Sequence, residues 1–505
     1  MIKNFENIKT LAQLKKNGYK YRSIKDEMRE NLISILRKKE KQFADIIGYE
    51  DTVIPDIQSA ILSRHNIILL GLRGQAKTKI ARSLVNLLDE YIPIIEGSEI
   101  NDDPLHPISR YSKDIIEELG DDTPINWVFR NERYSEKLAT PDVTIADLIG
   151  DVDPIKAAAL KLPYSDERVI HFGIIPRSHR GIFTINELPD LQARIQVALF
   201  NILQEKDVQI RGFKIRLPLD VQFVFTANPE DYTNRGSIVT PLKDRIDSQI
   251  LTHYPKTISI SKSITKQEAK LTNDQKDNIR ISDIITNLIE QIAFKARESE
   301  YVDSKSGVSA RLTISAYENI ISTAERRMLI NNETDTDVRI SDFTGVIPAI
   351  TGKVELVYEG EQEGPAKVAQ ILIGKAIRED FIHYFPSPEK IKRKKNEPNP
   401  YMDIISWFSK GNTADLLNNL SNQEYKNKLM SISGLFELIE KYHPDTEENE
   451  KYLLMEFALH GLSEHSLLSK YHIEFGLQFK DMISSMFTIN SDDDDNEEFD
   501  EEKYM

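Results

Sequence analysis

Residues 71–78 read Gly71-Leu72-Arg73-Gly74-Gln75-Ala76-Lys77-Thr78. They directly follow the apolar run Ile67-Ile68-Leu69-Leu70, which is typical of a buried strand entering a loop. A glycine-containing loop that closes on Lys-Thr is the P-loop arrangement, in which backbone N–H groups at a helix N-terminus surround phosphates. We therefore expect all eight residues to bind a nucleotide, with Lys77 at the β- and γ-phosphates and the Thr78 hydroxyl on Mg²⁺.

One position of this loop departs from the usual pattern. Ala76 stands where G-x-x-x-x-G-K-[ST] has its second glycine. Only a positive φ demands glycine, so a methyl group is tolerated if the residue has ordinary helical dihedrals. Whether Ala76 fits this loop without strain therefore depends on its dihedrals.

Length and composition bound the class of protein. At 505 residues the chain is too long for one hydrophobic core, and about two to four domains are expected. Hydrophobic residues make up 40% and charged residues 29%, which is typical of globular proteins. No window approaches the roughly eighteen uninterrupted apolar residues of a membrane span. The absence of cysteine excludes disulfides and thiolate metal sites, and it is compatible with the cytoplasmic location that we expect.

The net charge of −16 argues against a protein whose whole surface binds nucleic acid. The charge is unevenly placed, because residues 491–503 alone hold nine carboxylates and one lysine. Like charges repel and this segment has little to bury, so a disordered acidic tail is expected at 489–505. Such a tail either increases solubility or docks on a basic patch of a partner.

Strand and helix patterns alternate from residue 43 to residue 255, which predicts an α/β nucleotide-binding core with a parallel sheet flanked by helices. Strands are expected at 66–70, 93–95, 181–185, 222–226 and 249–252, with helices at 77–89 and 190–204 between them. The remaining expected segments are a helical N-terminal segment at 1–42, an all-α lid at 256–385, a basic linker at 386–400 and a helical C-terminal domain at 401–488.

A second motif follows the loop by about a hundred residues. The apolar strand Ile182-Phe183-Thr184-Ile185 ends in Asn186-Glu187. P-loop ATPases place an Asp-Glu pair here, in which Asp orients Mg²⁺ through its water shell and Glu polarises the attacking water. Glu187 stands in the position of the base. Asn186 replaces the Asp, and its amide oxygen still accepts a hydrogen bond from a metal-bound water but supplies no charge.

Three further polar residues come in order after these motifs. Asn228 ends the apolar strand at 221–227, at the edge where α/β sheets bind ligands, and is a candidate to hold the attacking water. Arg245 lies in Pro241-Leu242-Lys243-Asp244-Arg245 and is suited to stabilising charge in phosphoryl transfer. Arg311 opens a helix of the predicted lid after Gly307-Val308-Ser309-Ala310, from where a guanidinium would reach the nucleotide.

These five elements, in this order, resemble the AAA+ ATPases, most closely the branch of magnesium-chelatase I subunits and MoxR proteins. The closer resemblance is carried by Ile46-Ile47-Gly48-Tyr49-Glu50, similar to an adenine-side I-x-G-Q-E segment with Tyr for Gln, and by the Ala-containing P-loop of MoxR proteins. Residues 140–173 resemble the helix-2 insertion of this branch, 173–181 its approach to Walker B and 204–213 its hairpin before sensor 1. The resemblance covers about residues 40–330.

The resemblance implies roles for individual residues. Ile47 and Gly48 would lie on the adenine side, Asn228 would be sensor 1, Arg245 the arginine finger that acts in trans, and Arg311 sensor 2. It also implies a homo-oligomeric ring, usually hexameric, that hydrolyses ATP with Mg²⁺ and acts on a partner. Such ATPases commonly work with a von Willebrand A domain protein, and this chain has no D-x-S-x-S motif of its own.

Three functions stay open at this point. The first is an active motor that either inserts a metal, as in a magnesium chelatase, or remodels a partner protein. The second is a nucleotide-dependent scaffold that hydrolyses ATP poorly, as Asn186 and Ala76 suggest. The third, a DNA translocase or transcription activator, has little support from the acidic composition and the lack of a helix-turn-helix pattern.

Overall fold

The computed structural model describes residues 5–164, 166–205, 207–210, 216–229, 237–393, 398–474 and 476–482. The chain divides into two compact units, residues 1–254 and 255–505. The predicted acidic tail at 489–505, much of the predicted hairpin at 204–213 and part of the predicted linker at 386–400 lie outside the described residues. No described helix is both long enough and apolar enough to cross a lipid bilayer.

The first unit alternates helices and strands. Its described strands are β1 (Ile67–Leu70), β2 (Tyr91–Ile95), β3 (Ile125–Phe129), β4 (Tyr134–Leu138), β5 (Gly150–Val152), β6 (Ile170–Phe172), β7 (Gly181–Asn186), β8 (Asp207–Gln209), β9 (Arg216–Pro218), β10 (Val221–Ala227) and β11 (Ser248–Leu251). Its described α-helices are α1 (Leu11–Lys16), α2 (Ile24–Lys38), α3 (Val53–Leu62), α4 (Lys77–Ser83), α5 (Arg110–Leu119), α6 (Ile145–Leu148), α7 (Pro154–Leu160), α8 (Ile174–Arg177), α9 (Ala193–Glu205) and α10 (Thr240–Lys243).

Five parallel strands form the central sheet, in the order β11-β1-β10-β7-β4. Successive side chains of β1 enter two different cores, because side chains alternate across a strand. Ile67 and Leu69 join the core that contains α2, α3 and α4, and Ile68 and Leu70 join the core that contains α9. The central strands β1, β7 and β10 are therefore buried on both faces of the sheet. This confirms the predicted fold class of a parallel sheet flanked by helices.

One predicted strand lies elsewhere. The segment expected at 93–95 forms β2, which pairs antiparallel with β3 and stands outside the central sheet. The fifth strand is instead β4, at the edge next to β7, with register Tyr134↔Ile182. Its sequence Tyr-Ser-Glu-Lys-Leu has no apolar run, and all of its side chains are partly or fully exposed. Hydrophobic patterning therefore gave no signal for it.

The second unit is mainly helical. Its described α-helices are α11 (Ile258–Glu268), α12 (Asn273–Asn278), α13 (Asp283–Glu298), α14 (Arg311–Ile330), α15 (Ile347–Thr351), α16 (Tyr358–Glu363), α17 (Pro365–Tyr384), α18 (Pro388–Arg393), α19 (Met402–Ser409), α20 (Asn422–Met430), α21 (Leu435–Tyr442) and α22 (Glu448–Glu464). Its described strands are β12 (Ile279–Arg280), β13 (Thr336–Asp337), β14 (Ala414–Leu417), β15 (Ser469–Ile473) and β16 (Gly476–Lys480).

One apolar cluster runs through this unit from Ile279 to Phe479. It joins helices from the segment predicted as a lid to helices from the segment predicted as a C-terminal domain. The region 401–488 is not wholly helical as expected, because β14, β16 and β15 form an antiparallel sheet in that order. Gly476 allows the close pairing there, since an added Cβ would overlap the Leu416 carbonyl.

Candidate functional site

The loop at 71–78 joins β1 to α4, whose first residue is Lys77. Two glycines fit the places that the loop geometry requires. Gly74 has φ +74°, which favours glycine, and a Cβ at Gly71 would overlap the Thr252 hydroxyl and the Gln75 side chain. The loop therefore packs tightly against the end of β11.

Ala76 does not have the helical dihedrals that would let a methyl group fit this position without strain. Its φ is +57° and its ψ is +16°, in the left-handed region, immediately before α4 begins. The loop must turn here so that the backbone can enter the helix, and a glycine would do so without strain. A residue with a Cβ holds this conformation at a cost of roughly 1–2 kcal/mol.

Lys77 is the centre of the hydrogen-bonded group at the edge of the sheet. Its side chain is buried, and its ammonium donates to the Gly71 carbonyl, to the Leu72 carbonyl at 3.0 Å and to Asn228 Oδ1 at 2.7 Å. Asn228 Nδ2 in turn donates to Glu187 Oε2 at 2.9 Å. Three motifs that lie far apart in sequence thus meet at the carboxyl ends of β1, β7 and β10, where open α/β sheets bind ligands.

Thr226 ties the two residues of the second motif to the neighbouring strand. The Glu187 N–H donates to Thr226 Oγ1 at 3.1 Å, and that hydroxyl donates to Asn186 Oδ1 at 3.3 Å. Glu187 itself has φ +55°, a conformation that non-glycine residues rarely adopt. Thr226 was not among the predicted site residues. The signal that could have found it is a polar residue near the end of the otherwise apolar strand β10.

The adenine-side segment reaches the P-loop through Tyr49. The buried Tyr49 hydroxyl lies 2.7 Å from the His253 carbonyl and 3.0 Å from the Gln75 carbonyl, and burial raises its pKa to about 12. The hydroxyl therefore stays protonated and acts as a donor. Next to it, Gly48 has φ +86°, and its N–H donates to Glu50 Oε2 at 2.8 Å. The predicted position of Ile47 and Gly48 on the adenine side stays a prediction.

A second tyrosine holds the loop from the other end. The Tyr254 hydroxyl donates to the Arg73 carbonyl at 2.9 Å, and the Thr252 hydroxyl donates to Gln75 Oε1 at 2.7 Å. None of these residues of segment 252–254 was predicted, because their contacts depend on β11 lying beside β1 in the sheet.

The two predicted arginines lie in different units. Arg245 Nε donates to Gln204 Oε1 at 3.0 Å, Nη1 donates to the Pro241 carbonyl at 2.7 Å, and the guanidinium stacks over the Phe200 ring at 5.0 Å. It is therefore anchored on α9 and α10 rather than on the Lys77 group. Arg311 belongs to the second unit, where it begins α14 with an exposed side chain.

Comparisons with known proteins agree with this geometry. No protein-family model matches the chain. Magnesium-chelatase subunit ChlI of Euglena gracilis is 25% identical over 213 residues, which are 40% of this chain and 56% of that protein. Magnesium-chelatase subunit ChlI-1, chloroplastic, of Arabidopsis thaliana is 23% identical over 240 residues, 46% of this chain and 53% of that protein. The chain thus spans about half the length of the curated relatives it matches.

Among solved structures, a cryo-EM-based complex of subunits BchI and BchD of magnesium chelatase is 17% identical. The match covers 64% of this chain and 98% of the matched chain of that complex. Its TM-score is 0.33, which is too low to establish a shared fold. The two chelatase relatives support the resemblance to AAA+ ATPases of the magnesium-chelatase I branch that the motifs indicated, over the 40% and 46% of this chain that they match.

Proposed function

We propose that this protein binds ATP with Mg²⁺ and hydrolyses it, and that the resulting movement acts on a partner. The observation that carries the proposal is the hydrogen-bonded chain from Lys77 through Asn228 to Glu187. It links the side chain expected at the β- and γ-phosphates to the carboxylate expected to activate water. Phosphoryl transfer to water needs both groups within reach of one phosphate.

The contacts of Lys77 suggest what changes when ATP binds. Its ammonium donates to two loop carbonyls and to Asn228, which are neutral acceptors. Phosphate oxygens carry negative charge and form stronger hydrogen bonds with an ammonium. Bound ATP would therefore take Lys77 from Asn228, whose amide could then hold the attacking water while Glu187 accepts its proton.

The oxygen donors near the loop are of the type that Mg²⁺ prefers. The Thr78 hydroxyl and the Asn186 amide oxygen are the groups that would hold the ion with its waters. Asn186 Oδ1 accepts one hydrogen bond, from Thr226, and keeps a second lone pair. When bound, the ion supplies charge neutralisation at the phosphates.

The assembly and the partner are also proposals. In a homo-oligomeric ring, of six subunits by the family resemblance, Arg245 would complete the site of the adjacent subunit, and Arg311 would act as sensor 2. Arg245 is suited to this because Gln204 and Phe200 fix its guanidinium while it stays partly exposed. A von Willebrand A domain protein is the proposed partner, with metal insertion or protein remodelling as the outcome. The cytoplasmic location stays a prediction.

A second function, a scaffold that assembles on ATP but turns it over slowly, is favoured by one observation. Asn186 supplies no negative charge, and its amide oxygen already accepts from Thr226. A weaker hold on the Mg²⁺ waters would slow hydrolysis without preventing nucleotide binding.

Steady-state ATP hydrolysis with Mg²⁺, measured beside ATP binding, tests the proposal. Glu187→Gln should lower turnover by about 100-fold or more and keep ATP affinity, because a general base contributes about 10²–10⁴ in rate. Lys77→Ala should abolish ATP binding, and Arg245→Ala should spare binding and abolish turnover. Glu118→Gln, exposed on α5, is the matched control and should change neither. ATP binding without turnover in the wild type, alone and with an added partner, would favour the scaffold.

A further inference from the structure

We propose that Tyr49 positions the phosphate-binding loop, and that it does so because Ala76 replaces a glycine. This inference rests on the proposed nucleotide-binding function and assigns a role to a residue for which the resemblance implied none. The contact that carries it is the hydrogen bond from the Tyr49 hydroxyl to the Gln75 carbonyl, at 3.0 Å. Tyr49 is 6% exposed, so its ring is fixed by packing and its hydroxyl has a defined direction.

The first step is the geometry of the peptide plane between Gln75 and Ala76. In a trans peptide the C=O and the N–H point in opposite directions. The Gln75 carbonyl points at Tyr49, so the Ala76 N–H points to the other side of the loop. Within the described chain, the Ala76 N–H donates to no other group. It is a free backbone donor at the N-terminus of α4, of the kind that surrounds phosphates in such loops.

The second step connects this plane to the strain at Ala76. Turning the plane over would change ψ of Gln75 and φ of Ala76 together, and would move Ala76 from its φ of +57° to a negative φ. An alanine prefers the negative φ, so the isolated loop favours the turned plane. The Tyr49 hydroxyl opposes that preference. It thereby keeps the Ala76 N–H on the inner side of the loop.

Tyr254 provides an internal comparison. Its hydroxyl donates to the Arg73 carbonyl at 2.9 Å and so holds the plane between Arg73 and Gly74. The residue after that plane is Gly74, with φ +74°, which a glycine adopts without a steric penalty. The Tyr254 bond therefore opposes no preference, and its loss should matter less than the loss of the Tyr49 bond.

The Tyr49 hydroxyl has a single proton and also lies 2.7 Å from the His253 carbonyl. Removing the hydroxyl therefore loses both contacts, and one variant alone does not separate them. Replacing Ala76 by glycine separates the two contacts, because it removes the preference for the turned peptide plane and leaves the His253 contact untouched.

The experiment measures the affinity of the full chain for inorganic triphosphate and for ATP by calorimetry, in Tyr49→Phe, Tyr254→Phe, Ala76→Gly and the double variant Tyr49→Phe/Ala76→Gly. Triphosphate is included because it has no adenine. We expect Tyr49→Phe to lose about fivefold in affinity for both ligands, the size of one hydrogen bond. Tyr254→Phe should lose less than about twofold, and the double variant should bind like Ala76→Gly.

Several results would overturn the inference. Unchanged triphosphate affinity in Tyr49→Phe would show that the hydroxyl does not position the loop, and a loss for ATP alone would place its effect at the adenine. An equal loss in Tyr254→Phe, or a loss in Tyr49→Phe that Ala76→Gly does not rescue, would assign the effect to general packing. If Tyr49→Phe failed to fold, a fivefold difference between the double variant and Ala76→Gly would also contradict it. Failure of the wild type to bind either ligand would instead refute the proposed function.

Discussion

Both units enclose ion pairs, Arg133–Glu27 in the first and Arg327–Asp342 in the second, but the first unit also carries a group of polar side chains at the edge of its central sheet. In the first unit, Lys77, Asn228 and Glu187 lie at the ends of parallel strands and bond to one another and to loop carbonyls. In the second unit, charged side chains are enclosed by the apolar core. Arg327 and Asp342 form an ion pair with side chains 1% and 2% exposed. The group at the sheet edge leaves polar atoms where a ligand can replace their partners, whereas the side chains of the enclosed Arg327–Asp342 pair are almost completely shielded from solvent.

The backbone shows the same difference. Among the described residues other than glycine, eight have positive φ in the first unit and two in the second. Ala76 and Glu187 are two of the eight, and both belong to the candidate site. Strained backbone persists where surrounding structure holds it, and it clusters at functional sites. The comparison favours the first unit as the one that carries the proposed chemistry, and it assigns the enclosed ion pairs of both units to maintaining the fold.

The largest expected effect is on stability and comes from removing one of the enclosed charges, the Arg327 guanidinium. Arg327 donates to Asp342 Oδ2 at 2.9 Å, to Thr336 Oγ1 at 2.8 Å and to the Asp337 carbonyl at 2.8 Å. Arg327→Ala would leave the Asp342 carboxylate buried without its cation, and should lower the free energy of unfolding by about 3–5 kcal/mol. Chemical denaturation measures this decrease in the free energy of unfolding.

Arg280→Ala is the matched control, because Arg280 pairs with Asp335 and Asp337 but is 52% exposed. It should cost less than about 1 kcal/mol. The triphosphate affinity of folded Arg327→Ala should equal that of the wild type. A loss of affinity at full folding would mean that the buried pair also serves the nucleotide site, and the comparison would fail.

A smaller effect concerns Asp380, a buried carboxylate with one oxygen that accepts no hydrogen bond from the described residues. Asp380 is 5% exposed, its Oδ2 accepts no hydrogen bond from the described residues, and burial raises its pKa to about 6. The folded state therefore binds the proton more tightly than the unfolded state. The resulting stabilisation is complete below about pH 3.8 and is lost as the pH rises through 6. Across the whole range this difference amounts to about 3 kcal/mol, at about 1.4 kcal/mol for each pKa unit.

Asp380→Asn should remove this pH dependence, so that the variant gains on the wild type by about 2 kcal/mol between pH 4 and pH 7.5. Unfolding free energies at several pH values measure the gain. Asp283→Asn in the same unit should have the opposite effect and lose stability relative to the wild type as the pH rises. The reason is that the hydrogen bond from Lys262 lowers the pKa of Asp283. A flat difference between wild type and Asp380→Asn would show that Asp380 titrates as an exposed group.

The sequence predicted the elements whose signal is local. Apolar runs located β1, β7, β10 and β11, and the polar residues that follow these runs identified Lys77, Glu187 and Asn228, which the structure brings together. The roles of these residues stay predictions. Strand β4 was missed because it is a polar edge strand, and the sheet at β14–β16 was missed because the pattern there was read as helical.

Features that depend on three-dimensional contacts could not be predicted from the sequence. Thr226, Tyr49 and Tyr254 act on the loop or on the second motif only because strands and segments distant in sequence are neighbours. The left-handed dihedrals of Ala76 could not be predicted, because a sequence specifies the residue and not the direction of its peptide plane. That direction is fixed by the neighbours of the loop.

The smallest expected effect tests whether the strain at Ala76 is real. Ala76→Gly removes a left-handed cost of roughly 1–2 kcal/mol, and the more flexible glycine adds about 0.4–1 kcal/mol to the entropy cost of folding. The first term is larger, so the variant should be more stable in the nucleotide-free state by about 0.5 kcal/mol. Thermal unfolding measures it against Ala158→Gly, a change at an exposed helical position of α7 that should cost about 1 kcal/mol. If both variants lose stability equally, Ala76 has helical dihedrals in solution, and the first unit carries less strain at its site than the comparison of the two units requires.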